Sequence, residues 1–185
     1  MFDPVSVENQ VKRWLEEVVI GLNLCPFAAK PARAGRVRFL VSEASTEEAV
    51  LEVLQEELTR LHAASPDDIE TTLVITPNAL SDFYHYNQFL DWVDQLLKRG
   101  QWEGDIQVAS FHPRYCFAGT EEGDSENLTN RSPYPIFHLI REQSLSEMLE
   151  KFPDSDRIPE ANILRMEGLS QADKQRLFPY LFPVE

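Results

Sequence analysis

Cysteine is scarce in this chain: Cys25 and Cys116 are the two in 185 residues. Two are too few for a disulfide framework, and in a reducing compartment both are expected to be free thiols. Long apolar runs are missing as well, and no stretch approaches the length of a membrane span. The opening residues MFDPVSVENQVKRWLEEVV have acids and a proline where a secretory leader needs a basic start and an apolar run. A cytoplasmic protein is therefore expected. Positive charge is also short, with 17 Lys and Arg against 31 Asp and Glu, a formal charge of -14. Such a surface repels phosphate, so neither nucleic acid nor an anionic membrane is an expected partner. No P-loop, GxGxxG, GxSxG, CxxC or HExxH motif is present to name a chemistry.

What is present describes a folded protein. Apolar residues make up 43% and charged residues 26%, with 3 Trp, 5 Tyr and 11 Phe, and the length suits a single domain over 1–185. Charge is unevenly spread. Lys30, Arg33, Arg36 and Arg38 fall between Phe27 and Ser42 with no acid among them, so the other 13 cations face all 31 acids, a balance of -18. A cationic strip on an acidic protein suggests a confined anion site or a partner contact.

Periodicity sets out the elements. Asp3-Pro4 or Ser6 can start a helix with Val7, Val11, Trp14, Leu15, Val18 and Leu22 on one face, ending near Gly21 to Asn23. Arg36 to Val41 reads as a strand, and Ser45 with Glu48 forms a capping box for a helix burying Val50, Leu54, Leu58 and Leu61. Ile69 to Thr76 is a second strand, stopped by Pro77. Ser81 caps a helix that ends at Gly100, and Ile106 to Phe111 is a third strand. Downstream, helix is expected over Pro135 to Glu142, then a continuation capped by Ser144 and Glu147 through Phe152. Two short helices open at Pro159 and Ser170.

Alternating strands and long helices predict an α/β fold, a small mainly parallel sheet covered by helices, with extra short helices at the C-terminus. A ferredoxin-like α+β sandwich is the alternative, if the segment after Phe111 supplies an antiparallel strand. The ending LFPYLFPVE is apolar enough to dock on the body or on a neighbouring subunit, which makes a homodimer through this tail one expectation.

In parallel sheets ligands bind outside the carboxyl ends of the strands. Here that edge receives His112, a candidate acid or base beside Pro113, although a hydrogen-bonded structural histidine is an equal reading. The following segment, FHPRYCFAGTEEGDSENLTNRSPYPIFHLIRE, is unusually polar and long for a connector. Its Asp124, Asn127, Asn130, Arg131 and Ser132 either tie the loop to itself or grip a carboxylate or phosphate. On the expected next helix, His138 and Arg141 share a stripe with Glu142, either across a pocket from His112 or as a surface group. A divalent metal on His112, His138 and a carboxylate has no supporting HxH or HExxH spacing. Cys25 sits in GLNLCPFAAK. If Pro26 starts a helical turn, amide donors with Lys30 and Arg33 lower the thiol pKa; otherwise Cys25 is a small buried hydrophobe.

The blocks GLNLCPFA, FHPRYCFAGT and NLTNRSPYPIFHLIRE resemble those of a mainly bacterial family known as domain of unknown function 1415, and the resemblance covers nearly the whole chain. It implies that Cys25-Pro26, His112-Pro113, Asn130-Arg131-Ser132-Pro133 and His138 belong to recurrent motifs, and it brings no activity or cofactor with it. The residues themselves point to an enzyme of hydrolase or transferase type acting on a small anionic metabolite. Arg131, Arg141 and Arg36 or Arg38 would hold the anion, His112 and His138 would move protons, and Cys25 would be the nucleophile. A non-catalytic anion sensor and a metal-dependent hydrolase are the other two expectations.

Overall fold

Asp3 accepts the amides of Val5 and Ser6 at 3.4 and 3.1 Å and so starts α1 (Pro4–Trp14). The computed structural model describes residues 2–151 and 155–183. After Trp14 the helix widens into a π-helical turn over Leu15–Ile20, closed by bonds such as Gly21 N to Glu16 O at 2.9 Å. A Cβ at Gly21 would lie 2.3 Å from the Glu17 carbonyl oxygen, so this wide turn can close only on glycine. A short α2 (Ala29–Arg33) leads into β1 (Val37–Val41).

Two strand-helix-strand passages follow. α3 (Glu47–Ala63) is capped by Thr46, one residue beyond the expected Ser45, and α4 (Phe83–Arg99) by Asp82, one beyond Ser81. In each case the capping oxygen accepts the amide three residues on, and both residues before the helix are extended, so the cap fell to the neighbour whose side chain reaches that amide. β2 (Thr71–Ile75) lies between the two helices, and β3 (Ile106–Phe111) follows the second, as expected.

The segment expected to be helical from Pro135 is instead β4 (Ile136–Arg141). It inserts between β2 and β3, giving the order β1-β2-β4-β3, and runs antiparallel to both neighbours, while β1 and β2 pair in parallel. The α/β class therefore holds, with helices flanking an open four-stranded sheet. Two of its three pairings are antiparallel because β4 enters the gap between strands that point the other way. The late antiparallel strand that belonged to the α+β alternative is present, but helices cover both sheet faces.

Alternate residues serve two cores. Val74, Phe137 and Leu139 pack against Leu54, Leu58 and Phe89 of α3 and α4. Leu73, Ile75 and Ile136 pack on the other face with Val11 and Val18, together with residues of the last helices. Each such buried side chain contributes about 1.5–3 kcal/mol, so the sheet is fixed from both sides. After β4 come α5 (Glu142–Leu149), α6 (Ile158–Glu167), opened by Pro159, and α7 (Gln171–Leu177), capped by Ser170. The expected end of the α5 region at Phe152 lies outside the described residues. Phe178 is fully buried, and the Tyr180 hydroxyl donates to the Arg131 carbonyl oxygen at 3.0 Å, so this part of the tail docks on the chain's own body. Among the described residues no helix is long and apolar enough to cross a membrane.

Candidate functional site

The carboxyl ends of β1, β2 and β3 meet at one edge, as expected, and there His112 is completely buried. Its Nδ1 accepts the Arg114 amide at 2.9 Å, which leaves the proton on Nε2 to donate to the Leu80 carbonyl oxygen at 3.1 Å. Phe83 and Tyr86 pack against the ring at tilts of 50° and 43°. Burial pushes its pKa down to about 4. With both nitrogens engaged by backbone, the ring has the geometry of a neutral clasp, the structural alternative named for His112.

The polar loop behind it closes on itself. The Asn127 carbonyl accepts the Phe117 amide and the Thr120 hydroxyl at 2.9 and 3.0 Å, and its amide group donates to the Glu121 carbonyl oxygen at 2.7 Å. Asp124 accepts the Glu121 amide, Asn130 donates to the Ser110 carbonyl and Ser132 to that of Tyr134. Arg131, half-buried with its pKa lowered by desolvation, reaches the carbonyl oxygens of Tyr115 and Glu122 at 3.1 and 2.7 Å. These groups answer backbone needs in a segment too long to be covered by ladder bonds. β4 enters at this edge, so its connecting loop fills the place where a parallel sheet would leave a crevice.

The other arginines are also engaged. Arg141, on β4 and not on a helix, donates from Nη2 to the carbonyl oxygens of Leu61 and Ala64, each at 2.7 Å, and so ties off the end of α3. Arg38 binds the buried Glu57 through two bonds of 2.6 and 3.0 Å. Arg36 reaches the Pro66 carbonyl and Asp67 through Nη1, while its buried Nε has no partner.

The chemistry gathers at the opposite end of the sheet. A broad cavity of about 710 Å³ opens on the face below the π-helical turn, floored by Val37, Thr71, Leu73, Ala109, His138 and Ile140. Val37, Thr71 and Ile140 lie at the amino ends of β1 and β2, and Leu73, His138 and Ala109 continue the floor to the middle of the sheet. Trp14, Cys25 and Phe27 wall one side, and Leu145 and Met148 of α5 the other. Of the residues singled out from the sequence, Cys25, His138, Arg36 and Arg141 line this cavity. His112, Arg131, Asn127, Asn130, Ser132, Asp124 and Arg38 do not.

His138 is half-buried, its pKa lowered to about 4 by desolvation. The Thr71 hydroxyl donates to the Leu139 carbonyl oxygen at 2.6 Å, so it must accept from His138 Nε2 at 2.6 Å. The imidazole is thereby held as the tautomer with a bare Nδ1, and that atom has no partner among the described residues. Cys25 precedes a turn over residues 26–28 and not a helix, since α2 is capped by Ala28, and its sulfur accepts the amides of Phe27 and Ala28. Its pKa is nevertheless raised, because burial outweighs those two amides. Of the two readings of Cys25, the raised pKa goes with the buried thiol and not with the thiolate. Among the described residues no group of three or more His, Cys, Asp or Glu side chains could hold a metal ion.

Sequence reasoning missed Trp14, Thr71 and the α5 wall. Helical spacing puts Trp14 in the core, and it is only 3% exposed, yet its buried Nε1 has no partner and the residue borders the cavity. A family model described as "Protein of unknown function (DUF1415)" matches residues 6–176. The chain belongs to this family. The DUF1415 match includes every cavity residue named above as well as the His112 clasp and its loop. No curated protein and no solved structure matches the chain.

Proposed function

We propose that the protein is an enzyme of hydrolase or transferase type that acts on a small anionic metabolite in the cavity at the amino ends of β1, β2 and β3. The observation that carries this reading is the shared cavity of Cys25 and His138, a protonated thiol and an imidazole with a bare nitrogen. In an acyl transfer, the Cys25 proton would pass to His138 Nδ1 as sulfur attacks the acyl carbonyl, and the leaving group would depart with that proton. Water, or a second nucleophile in a transferase, would then release the acyl group from sulfur, returning a proton to it through His138. The anion would be met by Lys30 and Arg36, cations at the cavity on an otherwise acidic surface.

Incubation with p-nitrophenyl octanoate tests this. Release of p-nitrophenol with an octanoyl adduct on the Cys25 peptide is expected by mass spectrometry, absent in Cys25→Ser and slowed at least tenfold in His138→Asn. Release that persists unchanged in Cys25→Ser would reject the nucleophile. A second reading, a non-catalytic sensor, is favoured by the raised pKa of Cys25 and by the arginines already tied to backbone or Glu57. It predicts ligand binding with no adduct.

A further inference from the structure

We propose that Thr71 is a positioning residue, the group that holds the His138 ring so that Nδ1, and not Nε2, takes the proton in the cavity. This rests on the reading of the cavity as a site of proton transfer, and it deepens that reading by assigning what fixes the base. The sheet register brings the two side chains together. His138 on β4 lies directly opposite Leu73 of β2, so Thr71, on the same face of β2 as Leu73, is its diagonal neighbour. Thr71 is buried, and its Oγ1 stands 2.6 Å from both His138 Nε2 and the Leu139 carbonyl oxygen. A hydroxyl has one proton and a carbonyl has none to give, so at that distance the proton must lie toward Leu139. Only a lone pair is left for the ring, and Nε2 must carry a hydrogen to meet it.

The free nitrogen is reachable, unlike the sealed donors nearby. Nδ1 has no partner among the described residues, yet it is not one of the buried unpaired atoms, a condition that Trp14 Nε1 and Arg36 Nε do meet. It therefore keeps accessible surface, and the cavity is the space that His138 borders. On the β3 side the residue opposite His138 is Ala109, whose single methyl leaves that space open. The chemistry then runs one way. A proton leaving the Cys25 sulfur bonds to Nδ1, and the imidazolium that forms already has its second N–H placed on Thr71, so no group has to turn as charge develops. A hydroxyl without the Leu139 bond could rotate and donate to Nε2 instead. That would put the hydrogen on Nδ1 and leave nothing there to accept a proton.

Proton–nitrogen correlation spectra of protein carrying isotope-labelled histidine, recorded near neutral pH, test this, with the His138 signals assigned by their loss in His138→Asn. The wild type is expected to show a protonated Nε2 and a bare Nδ1. Thr71→Val keeps the branched shape of a buried strand residue and removes the hydroxyl. It should draw the two nitrogen signals together, as exchange between the tautomers averages them, and lower kcat for p-nitrophenyl octanoate roughly tenfold with KM unchanged. Thr71→Ser should restore both the spectrum and kcat, which a role in packing alone would not do. A proton on Nδ1 in the wild type would overturn the proposal, even should Thr71→Val fail to fold. So would signals that stay apart or a kcat that stays unchanged in Thr71→Val, or a loss that Thr71→Ser does not rescue. The catalytic reading fails separately. A wild type with the expected spectrum, altered in Thr71→Val and restored in Thr71→Ser, but with no octanoyl adduct ever formed, would leave the hold of Thr71 on the ring standing and remove the enzyme.

Discussion

His112 Nε2 donates to the carbonyl oxygen of Leu80, a leucine held at φ 56°. The left-handed conformation costs a non-glycine residue about 1 kcal/mol or more, and it persists only where surrounding contacts over-determine it. The clasp from β3 to the loop before α4 is one such contact. His112→Ala should therefore lower stability by roughly 2–4 kcal/mol, through the lost hydrogen bonds and the hole left beside Phe83 and Tyr86. Urea unfolding measures the loss. A variant as stable as wild type would show that the clasp is dispensable.

Acid should weaken the fold in a defined window. His112 and His138 titrate near 4 in the folded protein, against 6.5 when exposed. Between those values the unfolded chain binds protons that the folded chain refuses, so stability falls as pH drops from about 6.5 to 4 and changes no further from these groups below that. Each histidine accounts for up to roughly 3 kcal/mol. Urea midpoints from pH 7.5 to 4.5 check the slope, and His138→Asn should remove its share of it. An unchanged slope in that variant would mean that His138 accepts protons freely.

The buried Glu57 is matched by Arg38 in two bonds and by Arg60 at 3.1 Å. Arg38→Ala should cost about 2–4 kcal/mol, because it strips a buried carboxylate of its main partner. Replacing both, as Arg38→Met with Glu57→Leu, should restore much of that loss. Thermal denaturation of the three variants forms the comparison.

Thr72 is fully buried, and its hydroxyl has no partner. Thr72→Val keeps the shape and removes the orphaned group, so stability should rise by about 1 kcal/mol, a gain of roughly 2–4 °C in Tm. A fall in Tm would point to a partner that the hydroxyl acquires in solution.

At Gly21 an added methyl would meet the Glu17 carbonyl oxygen at 2.3 Å. Gly21→Ala should cost about 1–3 kcal/mol despite alanine's better helix propensity, since the turn must narrow and move Cys25 and Trp14 at the cavity rim. Circular dichroism melts with p-nitrophenyl octanoate turnover register both effects together.

The sequence was legible where a local pattern decided the outcome. Val7, Val11, Trp14 and Val18 announced the buried face of the first helix, and β3 fell on Ile106–Phe111 as expected. IFHLIR misled because a strand buried on both faces loses the polar alternation that marks a strand, and six residues satisfy either period. A sheet without β4 leaves its crevice at the carboxyl ends; with β4 inserted, the loop carrying Asn127 and Arg131 packs there. The cavity could not be read, because it depends on Trp14, Cys25, Thr71 and His138 meeting across the sheet, and none of these stands near another in sequence. Burial also decided between the two readings of Cys25, since local amides are visible in GLNLCPFAAK and the packing around them is not.

The insertion of β4 also governs when this protein can fold on the ribosome. β2 and β3 are complete once residue 111 has emerged, but neither can pair with the other, because the strand between them spans residues 136–141. A nascent chain must hold the β1–β2 pair and an unpaired β3 with open edges until the 30 residues from 112 to 141 are made, and only then do the long-range pairings close together. Any pause in translation before Ile136 prolongs a state with an exposed, β-branched edge at TTLVI, so chaperone dependence should rise with the length of that pause.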